Sequence, residues 1–396
     1  MDPPFTIGVG APNITEKGIS YVLETLKNKR LSYGPFARRF ESEFARHHGC
    51  RFGIMSNSGT SALHIAVAAL KEIHDWKEGD EIIVPAVTFI ASSNVVLHNG
   101  LKVRFVDVDP DYYEIDPAKI ESAITSKTRA ILPVHLFGQP CDMDPIWKLA
   151  KEHDLKIIED SCETMFASYK GRPAGSLGDI GCFSTYVAHL ITTGVGGLNT
   201  TNNPEYAVKI RSIMNHGRDS IYLSIDDDDQ KSAEEMKMII ARRFSFVSLG
   251  HSFRATEMEA ALGLAQVEDW QSLIMPRREN ARLLTEGLRD VDHVIQLPAI
   301  RPHAEHSFMM YPLVLKNEKK ERVVNFLEHH GIETRDMLPL TNQPVYKKLL
   351  GVKEEDFPVA KWINENGFYI GCHQDLTQEQ VAYMIKTVKE AVREKS

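Results

Sequence analysis

Four short segments of the chain carry residue types suited to chemistry on a flat, phosphate-bearing ring. The turn Ser56-Asn57-Ser58-Gly59-Thr60-Ser61-Ala62 lies between an apolar run and a helical pattern. Small residues at a helix N-terminus leave backbone N–H groups free and add a favourable dipole, which suits a phosphate. The same residues also serve simply as helix caps. Phe89, in Val87-Thr88-Phe89, offers an aromatic face for stacking or else packs in the core. Ile157-Ile158-Glu159-Asp160 ends an apolar strand in acid. A carboxylate there, Asp160, can pair with a protonated pyridine nitrogen and strengthen the ring as an electron sink. The stretch from Gly181 to Gly197 joins Ser184, a second phosphate candidate, to His189 five residues on, and then to a glycine-rich turn. Imidazole moves protons near neutral pH, although a lone histidine is more often a packed residue than a catalyst.

These segments need a scaffold that brings them to one place. Strand-like runs at 51–56, 81–85, 103–108, 130–135 and 156–159 alternate with helical patterns at 60–74, 88–99, 117–123 and 143–153. Such alternation predicts an α/β fold: a parallel sheet covered by helices on both faces, with ligands at the carboxyl ends of its strands. Helices are also predicted over 16–30 and 36–47, and a long one over about 255–290. A smaller α/β unit follows at 305–395, with strands near 308–315 and 333–335. The expected division is 1–250 for the large domain with its N-terminal helices, and 251–396 for the connecting helix and small domain. Asp226 to Asp229 and the following KSAEEMKMIIARR read as a solvated loop or as a flap near the site.

Composition narrows the classes. With 396 residues and 43% hydrophobic content, the chain can bury a large core. A net charge of -8 argues against nucleic acid as a partner, because phosphate backbones need a basic face. No apolar run is long enough for a bilayer, and the first residues lack a basic segment followed by an apolar core. The expected location is therefore cytoplasmic, with no membrane partner. Five cysteines, an odd number without a C-x-x-C pair, argue against a disulfide framework, a zinc site or an iron–sulfur cluster; no metal is expected.

The order and spacing of the segments resemble the DegT/DnrJ/EryC1/StrS family of sugar aminotransferases. The likeness runs through LSYGPFARRFESEFARHHG (31–49), SNSGTSALHIA (56–66), DEIIVPAVTFIASSN (80–94), VRFVDVDP (103–110) and ILPVHLFGQPCDM (131–143). It continues through IIEDSCETMFASYKGRPAGSLGDIGCFS (157–184) and LGHSFRATEMEAALGLAQV (249–267). The resemblance implies an aspartate-aminotransferase-like fold, fold type I of the pyridoxal-phosphate enzymes. That fold has a mostly parallel seven-stranded sheet in the large domain and a smaller C-terminal α/β domain. It further implies pyridoxal 5′-phosphate or pyridoxamine 5′-phosphate as cofactor, and a homodimer with shared active sites.

One departure redirects the chemistry. Where the family carries a lysine that binds the cofactor covalently, this chain has His189. In this it resembles the histidine-for-lysine branch, the 3-dehydratases of GDP-4-keto-6-deoxymannose type. EDSCETM (159–165) and NGFYIGCHQ (366–374) strengthen that likeness. The branch implies a dehydratase of a nucleotide-linked keto-deoxy sugar in deoxysugar and lipopolysaccharide O-antigen biosynthesis, with glutamate as amino donor and His189 as base. The alternative is a glutamate-dependent sugar aminotransferase that works without the lysine. A non-catalytic binder is a third reading, opposed by the retention of Asp160, Ser184 and the Gly59–Thr60 turn. By resemblance, Asp160 holds the ring nitrogen and Phe89 the ring face. Gly59, Thr60 and Ser184 hold the phosphate, with Ser252 reaching in from the partner subunit. Glu163 stands beside Asp160 as a further catalytic candidate, and His216, Arg254 and His373 are candidates for contact with the sugar. Val195 replaces the glutamate usual in both branches, and Ser252 replaces a usual asparagine. Loops such as 219–246 would read the sugar and its nucleotide.

Overall fold

The computed structural model describes residues 3–219, 232–242 and 244–393. Nine strands belong to the first half: β1 (Phe52–Ser56), β2 (Glu81–Pro85), β3 (Lys102–Val106), β4 (Thr128–Ile131), β5 (Lys156–Asp160), β6 (Ser168–Tyr169), β7 (Arg172–Pro173), β8 (Ile180–Ser184) and β9 (Gly197–Thr201). Five follow: β10 (Ile295–Gln296), β11 (Ala304–Glu305), β12 (Met310–Leu315), β13 (Thr334–Asp336) and β14 (Gly367–Gly371). The large sheet has seven strands in the order β1-β9-β8-β5-β4-β2-β3. The pairs β2–β3, β2–β4, β4–β5 and β5–β8 are parallel, and only β9 runs against its neighbours. A four-stranded antiparallel sheet, β10-β12-β14-β13, forms the second unit, and β11-β6-β7 form a small third one.

Burial follows the pattern expected of a sheet covered on both sides. Residues Ile180 to Ser184 and Gly197 to Thr201 are buried throughout, because helices such as Gly59–Ile73 cover them. Separate apolar clusters fill the two sheets' cores; that of the four-stranded sheet includes Tyr311, Phe368 and Met384.

Element limits differ from the sequence expectation where tertiary contacts intervene. The strand expected over 130–135 leaves the ladder after Ile131, because Pro133 has no N–H to donate. The helix expected from 88 begins at Ala91, since Thr88 donates to the Leu338 carbonyl at 3.1 Å and stays extended. The long helix of 255–290 is two helices, Glu257–Val267 and Trp270–Leu288. The first opens with a capping box formed by Thr256 and Glu259. Asp226 to Asp229 lies outside the described residues, whereas Ala233–Arg242, within the stretch read as a loop, is a helix. Among the described residues no helix is long and apolar enough to cross a membrane. Nor do they place three or more His, Cys, Asp or Glu side chains to hold a metal ion.

Several histidines are held neutral inside this fold. Burial pushes His48, His64 and His189 down to about 4, and His306 to about 3. In the unfolded chain they titrate near the ordinary value of about 6.5. As pH falls, the unfolded state therefore takes up protons first, and stability is lost progressively from about pH 6.5 toward 4. The buried carboxyls Glu114, raised to about 8, and Glu163, raised to about 7, work in the opposite direction, as do Asp160 and Glu257, and they offset part of this loss. The expected result is a melting temperature several degrees lower at pH 5 than at pH 7.5. A melting temperature higher at pH 5 than at pH 7.5 in circular dichroism melts would contradict neutral burial of these rings.

Candidate active site

The sheet brings the sequence candidates to one edge. Gly197, which opens β9, pairs with Ser56 on one side and Ser184 on the other. The turn after β1 and the end of β8 therefore flank a single strand terminus. Ser58 caps the next helix, its hydroxyl accepting from the Ser61 N–H at 3.0 Å, and Gly59 is the first helical residue. A Cβ on Gly59 would stand 2.5 Å from Ser184 Cβ and 3.0 Å from both Ser184 Oγ and Cys162 Sγ. Only glycine allows the helix N-terminus to approach Ser184 this closely. Thr60 is exposed in the same first turn. The result is a cradle of small side chains at a positive helix end, which fits a phosphate.

Asp160, at the carboxyl end of β5, is buried. Its Oδ2 accepts from Ser92 Oγ at 2.7 Å and its Oδ1 from the Cys162 N–H at 3.2 Å. Ser92 is in turn 2.8 Å from Thr88 Oγ1. Burial raises the Asp160 pKa, and the Ser92 and Cys162 donors oppose the rise. Both donors are neutral, so a protonated ring nitrogen would supply the cation this carboxylate lacks. Phe89 exposes its ring at the start of the neighbouring helix. Glu163 accepts from the Phe137 N–H at 3.0 Å. Burial lifts its pKa to about 7; the Phe137 N–H opposes this, and the Asp160 charge adds to the rise.

His189 stands in the turn after β8. Its Nδ1 is 3.1 Å from the Ser184 carbonyl. A carbonyl only accepts, so Nδ1 carries the proton and Nε2 keeps a free lone pair. Burial keeps the ring neutral. The turn itself is pinned in two ways. The Thr185 and Thr193 hydroxyls meet at 2.6 Å. The Gln266 amide both accepts from the Thr192 N–H at 2.9 Å and donates to its carbonyl at 2.7 Å. Residues 8–11 brace it from the other side. Val9 N–H donates to Glu333 at 2.8 Å, and Gln374 Nε2 to the Ala11 carbonyl at 3.3 Å. A Cβ at Gly371 would lie 2.2 Å from the Gly8 carbonyl oxygen, and one at Gly10 would lie 3.2 Å from that of Ala188. This N-terminal strap is thus wedged between the end of β14 and the residue before His189.

A second group forms beside the first. Arg254 Nη2 donates to Ser252 Oγ at 3.2 Å and stands 3.5 Å from His216 Nε2. Ser252 and Arg254 are exposed. Arg254 bridges to Ser56, and the Asn57 N–H donates to the Phe253 carbonyl at 2.8 Å. Three of the expected residues therefore converge next to the Ser56–Asn57 turn. Val195 is exposed. His373 stands apart; it is buried and its carbonyl accepts from Asn280 Nδ2 at 2.8 Å. Sequence reading missed Ser92 and the Phe137 N–H. The only visible signal for Ser92 was its spacing of one helical turn from Thr88; Phe137 acts through its backbone, which its side-chain identity does not advertise.

Known proteins are similar to this chain over nearly its full length. GDP-perosamine synthase from Caulobacter vibrioides is 34% identical over 391 residues, covering 98% of each chain. GDP-4-keto-6-deoxy-D-mannose 3-dehydratase from Yersinia pseudotuberculosis is 32% identical, over 94% of this chain and 96% of its own. The solved structure of the E. coli GDP-4-keto-6-deoxy-D-mannose-3-dehydratase with bound hydrated PLP superimposes with a TM-score of 0.86 at 26% identity, covering 98% of this chain and 100% of that one. The fold is accordingly the aspartate-aminotransferase-like fold type I. Pyridoxal phosphate fits the residues in place, with the Gly59–Ser184 cradle for its phosphate and the cation-deficient Asp160 for its ring nitrogen. With the family model matched over residues 12–389, the chain belongs to the DegT/DnrJ/EryC1/StrS aminotransferase family.

Proposed function

We propose that the protein is a 3-dehydratase of a nucleotide-linked keto-deoxy sugar, using pyridoxal/pyridoxamine 5′-phosphate and glutamate as amino donor. It acts in the cytoplasm as a homodimer, in deoxysugar and lipopolysaccharide O-antigen biosynthesis. The observation that carries the reading is a neutral imidazole with a free Nε2 at the position of the family's covalent lysine. When bound, the cofactor supplies an electron sink conjugated to the sugar's C4, which makes the bond to the C3 hydroxyl breakable.

The chain's own residues do the rest. His189 Nε2 takes a proton from carbon and delivers it to the departing hydroxyl. Asp160 holds the proton on the ring nitrogen, Phe89 covers the ring face, and Gly59, Thr60 and Ser184 bind the phosphate. Ser252 reaches the phosphate in the partner's site, with Arg254 and His216 beside it toward the substrate. Glu163, poised near neutrality, keeps the Phe137 turn against the site and can share a proton with it. A lysine here would compete with substrate for the cofactor's aldehyde carbon, whereas an imidazole cannot.

The competing reading is transfer of the glutamate nitrogen to the sugar. It is favoured by the perosamine synthase likeness and by Val195, which departs from the glutamate usual in both branches. A single assay separates the two. The enzyme is incubated with cofactor, nitrogen-15 glutamate and a panel of nucleotide-linked 4-keto sugars, and the products are weighed by mass spectrometry. Dehydration yields a sugar lacking one oxygen, with the label released as ammonia and glutamate oxidised to 2-oxoglutarate. Label retained in the sugar would sink the dehydratase reading.

Gly59→Ala tests the phosphate cradle. Its Cβ has to displace Ser184 by more than a flexible tip can give, an overpacking cost of about 1–3 kcal/mol. Cofactor affinity in an absorbance titration should fall about 10- to 100-fold, and unchanged binding would remove the cradle from the site.

A further inference from the structure

A cation is buried where no ion pair among the described residues neutralises it. Arg277, in the helix Trp270–Leu288, is 1% exposed. Its Nη1 donates to the Met309 carbonyl at 3.0 Å, but Nε and Nη2 are buried without a partner among the described residues. His373 is 7% exposed and its Nδ1 is likewise buried and unpartnered. The two side chains belong to elements in direct contact. The Cys372 thiol donates to the Arg277 carbonyl at 3.4 Å, and Asn280 donates to the His373 carbonyl at 2.8 Å. Burial, and then the guanidinium's charge, push the His373 pKa down. The carboxylate acting on Arg277 is that of Asp375, which is exposed and forms no ion pair with it.

Interiors tolerate a charge when it is paired, and an uncompensated one is strongly unfavourable. A guanidinium cannot give up its proton to escape this. Water would satisfy the hydrogen bonds and leave the charge. We propose that a monovalent anion of halide size is bound between Arg277 Nε and Nη2 and His373 Nδ1, where it closes the junction of the Trp270–Leu288 helix with the end of β14. All three groups are donors once His373 carries its proton on Nδ1. Their enclosure limits the ligand to a small ion and excludes a sugar or nucleotide.

Two measurements on the holoenzyme test this. Crystals soaked in sodium bromide should give an anomalous peak within hydrogen-bonding distance of Arg277 Nε, Nη2 and His373 Nδ1. Melting temperatures in a chloride series, with gluconate holding ionic strength constant, should rise by about 2 °C or more. His373→Phe should move the half-saturation to higher chloride, and Arg277→Met should flatten the series. Should Arg277→Met fail to fold, the wild-type series and His373→Phe decide. Ordered water in place of the peak, with chloride-independent melting, overturns the proposal. So does a peak seen only at molar bromide without chloride dependence, which would mark an adventitious ion only.

Discussion

His189→Asn should lower turnover about 10³-fold, within the range a positioned general base contributes, while cofactor affinity changes by no more than a few-fold. The asymmetry follows from what the ring does and does not touch. Its Nδ1 is spent on the Ser184 carbonyl, a bond an asparagine amide can imitate, so the turn keeps its shape. What asparagine lacks is a basic nitrogen where Nε2 stands. The Thr185–Thr193 and Thr192–Gln266 contacts hold the backbone independently of the imidazole. Rates measured against absorbance-monitored cofactor binding separate the two effects. Retention of more than a tenth of wild-type turnover would mean that the proton moves through another group, and Glu163 would be the first suspect. His189→Lys gives a sharper contrast. It should restore covalent capture of the cofactor, visible as borohydride fixation to residue 189, yet leave dehydration as poor as in the asparagine variant.

The second large effect is expected at Asp160. Asp160→Ala removes the buried carboxylate proposed for the ring nitrogen and strands Ser92 Oγ and the Cys162 N–H, both of which donate to it. Without the counter-charge the site would no longer hold a proton on the ring nitrogen of a bound cofactor, and the electron sink it supplies would be weaker. Turnover should fall about 10²- to 10³-fold, comparable with removal of a preorganised electrostatic partner. The absorbance band of the bound cofactor should shift with it, a readout that simple loosening of the fold would not produce. Asp160→Glu, which keeps the charge but overfills a buried site, should recover the spectrum better than the rate. A wild-type spectrum in Asp160→Ala would detach this residue from the ring.

Much of this architecture was legible in the residue pattern because it is local. Alternating apolar runs and helical spacings reported the mostly parallel sheet, and Asp160 and Ser184 do end two of its adjacent strands. The His189 turn was readable for the same reason: five residues of sequence carry it from Ser184. What escaped depends on partners far apart in the chain. Ser92 meets Asp160 across 68 residues, and nothing in either neighbourhood specifies the other. Residue 88 looks like the start of a helix until Leu338 and Pro339 hold the 87–88 segment extended. The helix Ala233–Arg242 hid behind its charge, and it buries little beyond Ile239, so a core-facing pattern hardly shows in its sequence. Arg277 lies on a helix whose sequence marks it as an ordinary surface cation; its enclosure comes from distant segments such as those of Met309 and Cys372.

The wedge formed by residues 8–11 has a bearing on how the protein is made. Its seat includes Gly371, so the strap cannot brace the turn before His189 until residue 371 has also left the ribosome. Residues 8–11 must wait for a strand made long after them. Any cofactor captured during translation would meet a half-finished enclosure, and activity should emerge as one late event rather than growing with the sheet. Trimming a dozen residues from the front ought therefore to injure the histidine's surroundings more than the sheet itself.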